Sequence, residues 1–302
     1  MRLMLAQRLH AALIFWVPLV ATAAAIPLAW RRGVTGTDVA LLVGLYTVTI
    51  LGITVGFHRY LAHRAFRPCT AVKIALVIAG SMAVQGPPIY WVSNHRRHHQ
   101  HSDEPGDPHS PYFDGATRLG RLRGVLHAHA GWTFGHQITN AVVFTKDWLR
   151  DPLVSRLSRL YYVWVALSLV LPAVLGGVAT RTWMGAFTGF LWGGLVRVFL
   201  TYHATNSINS ITHVFGRRPF ATREQSRNNA WLVIPTAGEA WHNNHHAFPA
   251  SAIFGLRWWQ VDLGGWVVMG LDALGLVREV NRPTPAMVQA RRMSSMPNAN
   301  TA

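Results

Sequence analysis

Val39 to His63 reads VALLVGLYTVTILGITVGFHRYLAH, and this stretch decides the fold. Up to Phe57 it holds no charged side chain, and it approaches the roughly 20 residues that a helix needs to cross the hydrocarbon of a bilayer. It then passes directly into His58-Arg59-Tyr60-Leu61-Ala62-His63. A membrane span thus ends in two imidazoles.

Further apolar runs lie on either side. Ala11 to Trp30 is one, closed by Arg31 and Arg32. Tyr161 to Val178 and Trp183 to His203 make a second pair, joined through Gly176-Gly177-Val178-Ala179-Thr180-Arg181. Four spans in two hairpins are expected, at about 11–30, 39–57, 161–178 and 183–203. Ala71 to Val84 is shorter and is followed by Pro87 and Pro88, while Val261 to Leu276 is interrupted by Asp262, Asp272 and glycines. Both read as non-spanning. The expected fold is an all-α integral membrane protein, with residues 1–280 as one domain. A cytosolic helical cap would come from residues 58–159 and 204–280 and would hold a histidine-ligated di-metal site. Residues 281–302, rich in Pro, Arg, Ser and Asn, read as a disordered tail.

Composition agrees with the membrane reading. Half of the 302 residues are hydrophobic and only 13% are charged, which argues against a soluble enzyme. Lys and Arg outnumber Asp and Glu by 28 to 12. In a soluble chain that excess would point to nucleic acid. Here the arginines lie mostly between apolar runs, the pattern of the positive-inside rule, so no nucleic-acid partner is expected. Cys69 is the one cysteine, which excludes a disulfide framework or a thiolate cluster within the chain.

The histidines bunch. After His58 and His63 come His95-Arg96-Arg97-His98-His99, then Asn209-Ser210-Ile211-Thr212-His213, then His242-Asn243-Asn244-His245-His246. Residues at i, i+3 and i+4 share a helix face, as do Asn209 and His213. His58 and His63, five apart, do not share a regular helical stripe, and a frayed end or a turn is expected there. An even number of spans separates the clusters, so all of them fall on one side of the membrane. A lone histidine is more often structural than ligating, but nine in this pattern are not. They exceed the roughly four ligands of one zinc and suit two ions. Imidazole suits iron, and iron, unlike zinc, is redox-active.

Together these boxes resemble the membrane fatty-acyl desaturases, most closely their stearoyl-CoA, delta-9 branch. Gly56-Phe57-His58-Arg59, Asp103 through Asp107-Pro108-His109, the Asn209 to His213 run and Gly238 to Pro249 carry the resemblance, over roughly residues 40–280. It implies that His58, His63, His95, His98, His99, His213, His242, His245 and His246 ligate two Fe ions, which zinc can displace in recombinant material, and that Asn209 reaches a metal through water. It also implies that Gln85, Trp91 and Thr205 line the bend of an acyl tunnel. Glu239, Asp103 and Asp107 are candidate partners of the ligands, and His109 a neighbour of the site.

The implied activity is O2-dependent insertion of a cis double bond, of delta-9 type, into a saturated acyl chain. The alternatives are a hydroxylase of the same superclass and, in another class, a metal-binding membrane transporter. Where the family often has Trp-Ala-Arg-Asp near the CoA head group, this chain has Trp91-Val92-Ser93-Asn94, and Asn206 replaces a family tryptophan. CoA, acyl carrier protein and lipid therefore remain open as carriers. Arg96, Arg97, Arg121, Arg123, Arg223 and Arg227 are candidates for phosphate contact. The chain has no flavin fingerprint or haem-binding segment, so electrons are expected from a separate ferredoxin or cytochrome. The expected location is the cell's inner (plasma) membrane, with the catalytic face and both termini cytoplasmic.

Overall fold

The structure, a computed structural model, describes residues 2–113, 117–135 and 138–293. Among the described residues, four helices are long and apolar enough to cross a membrane. They are α1 (Arg2–Arg32), α2 (Gly36–Ala62), α5 (Tyr161–Thr180) and α6 (Trp183–His213). Between the two hairpins come α3 (Thr70–Ser81) and α4 (Pro88–His101). After α6 come α7 (His242–Ala247), α8 (Leu263–Ala273) and α9 (Pro285–Met293). At about 1.5 Å per residue, α3 and α8 fall short of a bilayer crossing, as the sequence suggested.

The first hairpin closes at Thr35, whose hydroxyl accepts from the Asp38 amide while the Asp38 carboxylate accepts from the Thr35 backbone. The second turns at Arg181 and Thr182 alone, shorter than the expected link, because α5 stays helical to Thr180. Its helices meet backbone to backbone: a Cβ on Gly176 would sit 2.2 Å from the Gly185 carbonyl oxygen. Small residues of this kind drive helix association in lipid, where no hydrophobic effect operates between helices.

Two of the spanning helices run beyond their apolar stretch, and this matters for the site. α2 continues to Ala62 and α6 to His213, so the span ends carry His58 and His213 directly into the cap. A core of Val55, Phe57, Leu61, Phe66, Val92 and Trp148 locks α2 against α3 and α4. A two-residue antiparallel ladder, β1 (Arg67–Pro68) with β2 (Val277–Arg278), ties the segment after α8 back to the segment after α2. The expected disordered tail instead begins with α9. That helix is held on the cap where the Arg291 and Arg292 guanidinium groups lie over the Phe248 and Phe220 rings. The rest of that tail, 294–302, lies outside the described residues.

Candidate metal centre

The final eleven residues of α2, Gly52–Ala62, wind as a π-helix. Its i→i+5 bonding includes His63 N–H to the His58 carbonyl at 3.1 Å. This winding brings residues five apart to one side, and the His58 and His63 ring centroids are 4.9 Å apart. A regular π-helix takes the place of the frayed end or turn expected from the sequence, and packing explains it. A Cβ on Gly52 would stand 2.2 Å from Gly80 N and one on Gly56 2.8 Å from Leu76 O, so α3 presses against the α2 backbone itself.

The nine box histidines converge as two groups. His58, His63, His95, His99 and His245 form one; His98, His213, His242 and His246 form the other. Within each group the candidate ligand nitrogens all lie within 4.8 Å of one another. The sequence left this division open. In both α4 and α7 the i and i+4 histidines enter one group and the i+3 histidine the other. At about 100° per residue, i and i+4 lie about 40° apart, whereas i+3 lies about 60° round the opposite flank.

The Nε2 atoms face inward. They are separated by 2.8 Å for His63 and His95, 3.0 Å for His58 and His245, and 2.9 Å for His99 and His245. In the other group, His242 Nε2 lies 3.0 Å from His213 and 3.1 Å from His246. Three carboxylates approach from behind. Glu239 accepts from Nδ1 of His58, Asp107 from Nδ1 of His98 at 2.9 Å and Asp103 from Nδ1 of His213 at 2.9 Å. A carboxylate only accepts, so Nδ1 carries the proton in these three rings and Nε2 presents its lone pair. Glu224 Oε1, 3.6 Å from His246 Nδ1, is a fourth such neighbour that no sequence signal pointed to.

Electrostatics favour neutral ligands. Burial pushes the imidazoles of His63, His95, His99, His242, His245 and His246 well below the usual histidine value. Burial alone would raise the Glu239 carboxyl, but His58 and Arg59 outweigh it and hold that carboxyl below its usual range. Arg59, wholly buried, also donates to Thr54 and Asp262 and so fixes the loop that carries Glu239. Converging lone pairs on neutral imidazoles cannot satisfy one another by hydrogen bonding. Two nitrogens each about 2.1 Å from one ion and at right angles stand about 3.0 Å apart, which matches the separations seen here. The donor set fits two metal ions of the kind imidazole prefers.

An apolar cavity of about 260 Å³ runs up to the first group. Gln85, Trp91, Thr205, Asn209 and His95 all line it. Gln85 Nε2 donates to Thr205 Oγ1 at 2.9 Å, and the Trp91 indole stacks on His95 at 5.1 Å. His109 lines it too, 4.4 Å from the His98 ring, and burial pushes its imidazole down to about 3.

Other residues of interest are engaged elsewhere. Arg96 is held by Asp147 and by the carbonyls of Leu61, Ala62 and Phe144, which removes it from the phosphate-binding candidates. Arg97 donates to the Gly106 carbonyl. Ser93 bonds Thr145, and Asn94 accepts from Thr139. His129 pairs with Ser210 and His203, in keeping with a structural role. His136 lies outside the described residues.

Comparison with known sequences agrees with this arrangement. A sequence model of the family described as fatty acid desaturase matches residues 38–272. The chain is 44% identical over 290 residues to the hex-5-enoyl-[acyl-carrier protein] acetylenase of Moorena producens (strain JHB), covering 95% of this chain and 90% of that one. It is 40% identical over 246 residues to the sn-1 stearoyl-lipid 9-desaturase of Anabaena variabilis, covering 80% and 82%. With delta-9 acyl-lipid desaturase 1 of Arabidopsis thaliana it shares 38% over 256 residues, covering 85% and 78%. A membrane-embedded helical chain with these boxes and these relatives belongs to the fatty acid desaturase family and is an oxidoreductase acting on fatty acyl chains.

Proposed function

We propose that the chain introduces a cis double bond, of delta-9 type, into a saturated acyl chain, using O2 and two electrons from a separate protein. The metal pair is iron. His58, His63, His95, His99 and His245 hold one ion, and His98, His213, His242 and His246 hold the other, with Asn209 reaching the pair through water. One observation carries this reading: the cavity that Gln85, Trp91 and Thr205 line is also lined by His95 and Asn209. A chain lying in it brings its methylenes against the histidine cluster.

The overall change is balanced by R–CH2–CH2–R′ + O2 + 2 electrons + 2 protons giving R–CH=CH–R′ + 2 H2O. Bound by the histidines, iron supplies the redox chemistry that lets O2 oxidise a C–H bond. The protein supplies register. The Gln85–Thr205 hydrogen bond pins the cavity wall at the expected bend, and Trp91, stacked on His95, fixes the wall beside the metals. The carboxylates behind His58, His98 and His213 hold each ring in one tautomer and orientation.

A second reading has specific support. The relative aligned over 95% of this chain is named an acetylenase acting on an acyl-carrier-protein-bound hexenoyl group. The same register acting on an already unsaturated chain would give a triple bond. For the carrier, the bonds of Ser93 and Asn94 within the cap support acyl carrier protein or a glycerolipid over CoA. The arginine-rich cap supports a cytoplasmic active face in the inner membrane, with both termini on that side. Expression in a desaturase-deficient host, followed by mass spectrometry of fatty acids after feeding saturated and monounsaturated chains, tests the reading. A new monoene supports desaturation, and an alkyne supports the acetylenase reading. A hydroxylated product overturns both.

A further inference from the structure

The histidine cluster has a second approach, on the face of the cap away from the acyl cavity. An opening of about 410 Å³ is floored by His63, His99 and His246 and rimmed by Arg96, Arg223 and Arg291. It shares no lining residue with the acyl cavity. Its lining side chains are mostly charged or polar, which suits neither an acyl chain nor any other long apolar ligand.

Its floor joins the two halves of the site. His99 belongs to the five-histidine group and His246 to the four-histidine group. Their rings stack, with centroids 4.5 Å apart and planes 17° from parallel. Among the described residues no other ring pair between the groups is as close or as nearly parallel. A charge arriving at this floor meets an imidazole from each group at once.

The rim is positive. Arg223 and Arg291 are exposed. Arg223 donates to the Gln100 carbonyl at 2.9 Å and meets one carboxylate, the exposed Glu104, at 3.4 Å, whereas Glu224 is buried against Ser226. Desaturation draws two electrons from outside, one at a time, and a chain with one cysteine cannot hold an iron–sulfur cluster of its own to supply them. We propose that this opening is the docking site of an acidic one-electron carrier protein, whose electrons enter the metal pair through the stacked His99 and His246 rings. Two successive encounters, each oxidising one carrier by one electron, complete the balance given above. The proposal rests on the desaturase reading.

The test uses full-length protein in detergent and an acidic plant-type ferredoxin. Ferredoxin binding to immobilised protein, which needs no metal, is measured by interferometry at low and moderate salt. Turnover is measured with reduced ferredoxin and, separately, as a single turnover driven by dithionite. Arg223→Glu with Arg291→Glu should weaken ferredoxin binding and raise its KM at least 10-fold, and should flatten the salt dependence. Lysine at both positions should preserve binding, and dithionite-driven product should not change. Unaltered ferredoxin binding in the glutamate variant, with dithionite still giving product, overturns the docking site and leaves the desaturase reading standing. Salt-sensitive binding that the variant loses, with no product from either reductant in the wild type, overturns the desaturase reading and upholds the docking site.

Discussion

Asp103 Oδ2 lies 2.9 Å from Nδ1 of His213, joining the loop after α4 to the end of the fourth span. The same oxygen accepts from the Gln225 amide at 2.8 Å. Burial alone would raise this carboxyl, but His213 and the Gln225 amide hold it below its usual range. Asp103 has φ +60°, a region that asparagine also tolerates, so Asp103→Asn alters charge with little backbone cost. We expect that variant to fold but to lose about 10–100-fold in metal affinity or activity, the usual effect of losing a ligand's outer partner. A chelator competition showing wild-type affinity would refute this role.

The division into groups of five and four makes a second prediction. His98 belongs to one group and His245 to the other. His98→Ala should lose one ion and His245→Ala the other, each retaining about half the metal. Both should fall by at least about 10³-fold in product, because the chemistry requires the pair. Elemental analysis per polypeptide checks it. Full metal content with full product in either variant would remove that histidine from the ligand set.

Much of this was legible in the sequence, for a physical reason. A bilayer imposes length and apolarity on each span, and even the count of spans placed the boxes on one side. The fine structure was less accessible. The π-winding that aligns His58 with His63 is set by close packing of α3 on Gly52 and Gly56, a tertiary effect with no local code. The five-residue spacing was nevertheless the signal, since it matches the i→i+5 bonding of that helix. Glu224 was invisible because its link to His246 depends on how the loop that carries it folds against α7. α9 was missed because its stability comes from docking of arginines on Phe220 and Phe248, which composition does not reveal.

The bend of the cavity gives a third prediction. Thr205→Val keeps the shape of the side chain but removes the oxygen that accepts from Gln85. The Gln85 amide then retains only its weaker contact, 3.3 Å, to the Thr201 carbonyl. A wall shifted by about 1 Å can cost about 10²-fold in rate. We expect reduced turnover, a mixture of double-bond positions and unchanged metal content. Product of a single, unshifted isomer at the wild-type rate would separate Thr205 from control of register.

Asp151 couples the cap to α3 and carries a pH prediction free of the metal ligands. Its carboxylate caps the helix Pro152–Arg159, accepting from the Leu153 and Val154 amides at 3.0 Å each, and takes the Lys73 ammonium at 2.6 Å. Burial alone would raise this carboxyl, but Lys73 and the two amides outweigh it and hold the carboxyl below its usual 3.8. A depressed folded value means that the carboxylate's contribution is complete above about 3.8 and is lost as pH falls through the lower folded value. Asp151→Ala should therefore cost about 1–2 kcal/mol at pH 7, from the cap and the partly buried ion pair together. That corresponds to roughly 2–8 °C in Tm for a domain of this size. The difference from wild type should stay constant from pH 7 to about 5 and narrow only below 3.8. Asp151→Asn, which keeps a capping oxygen and loses the charge, should retain most of the stability at pH 7. A gap that closes already near pH 6 would show that some other group, and not this carboxylate, holds α3 to the cap.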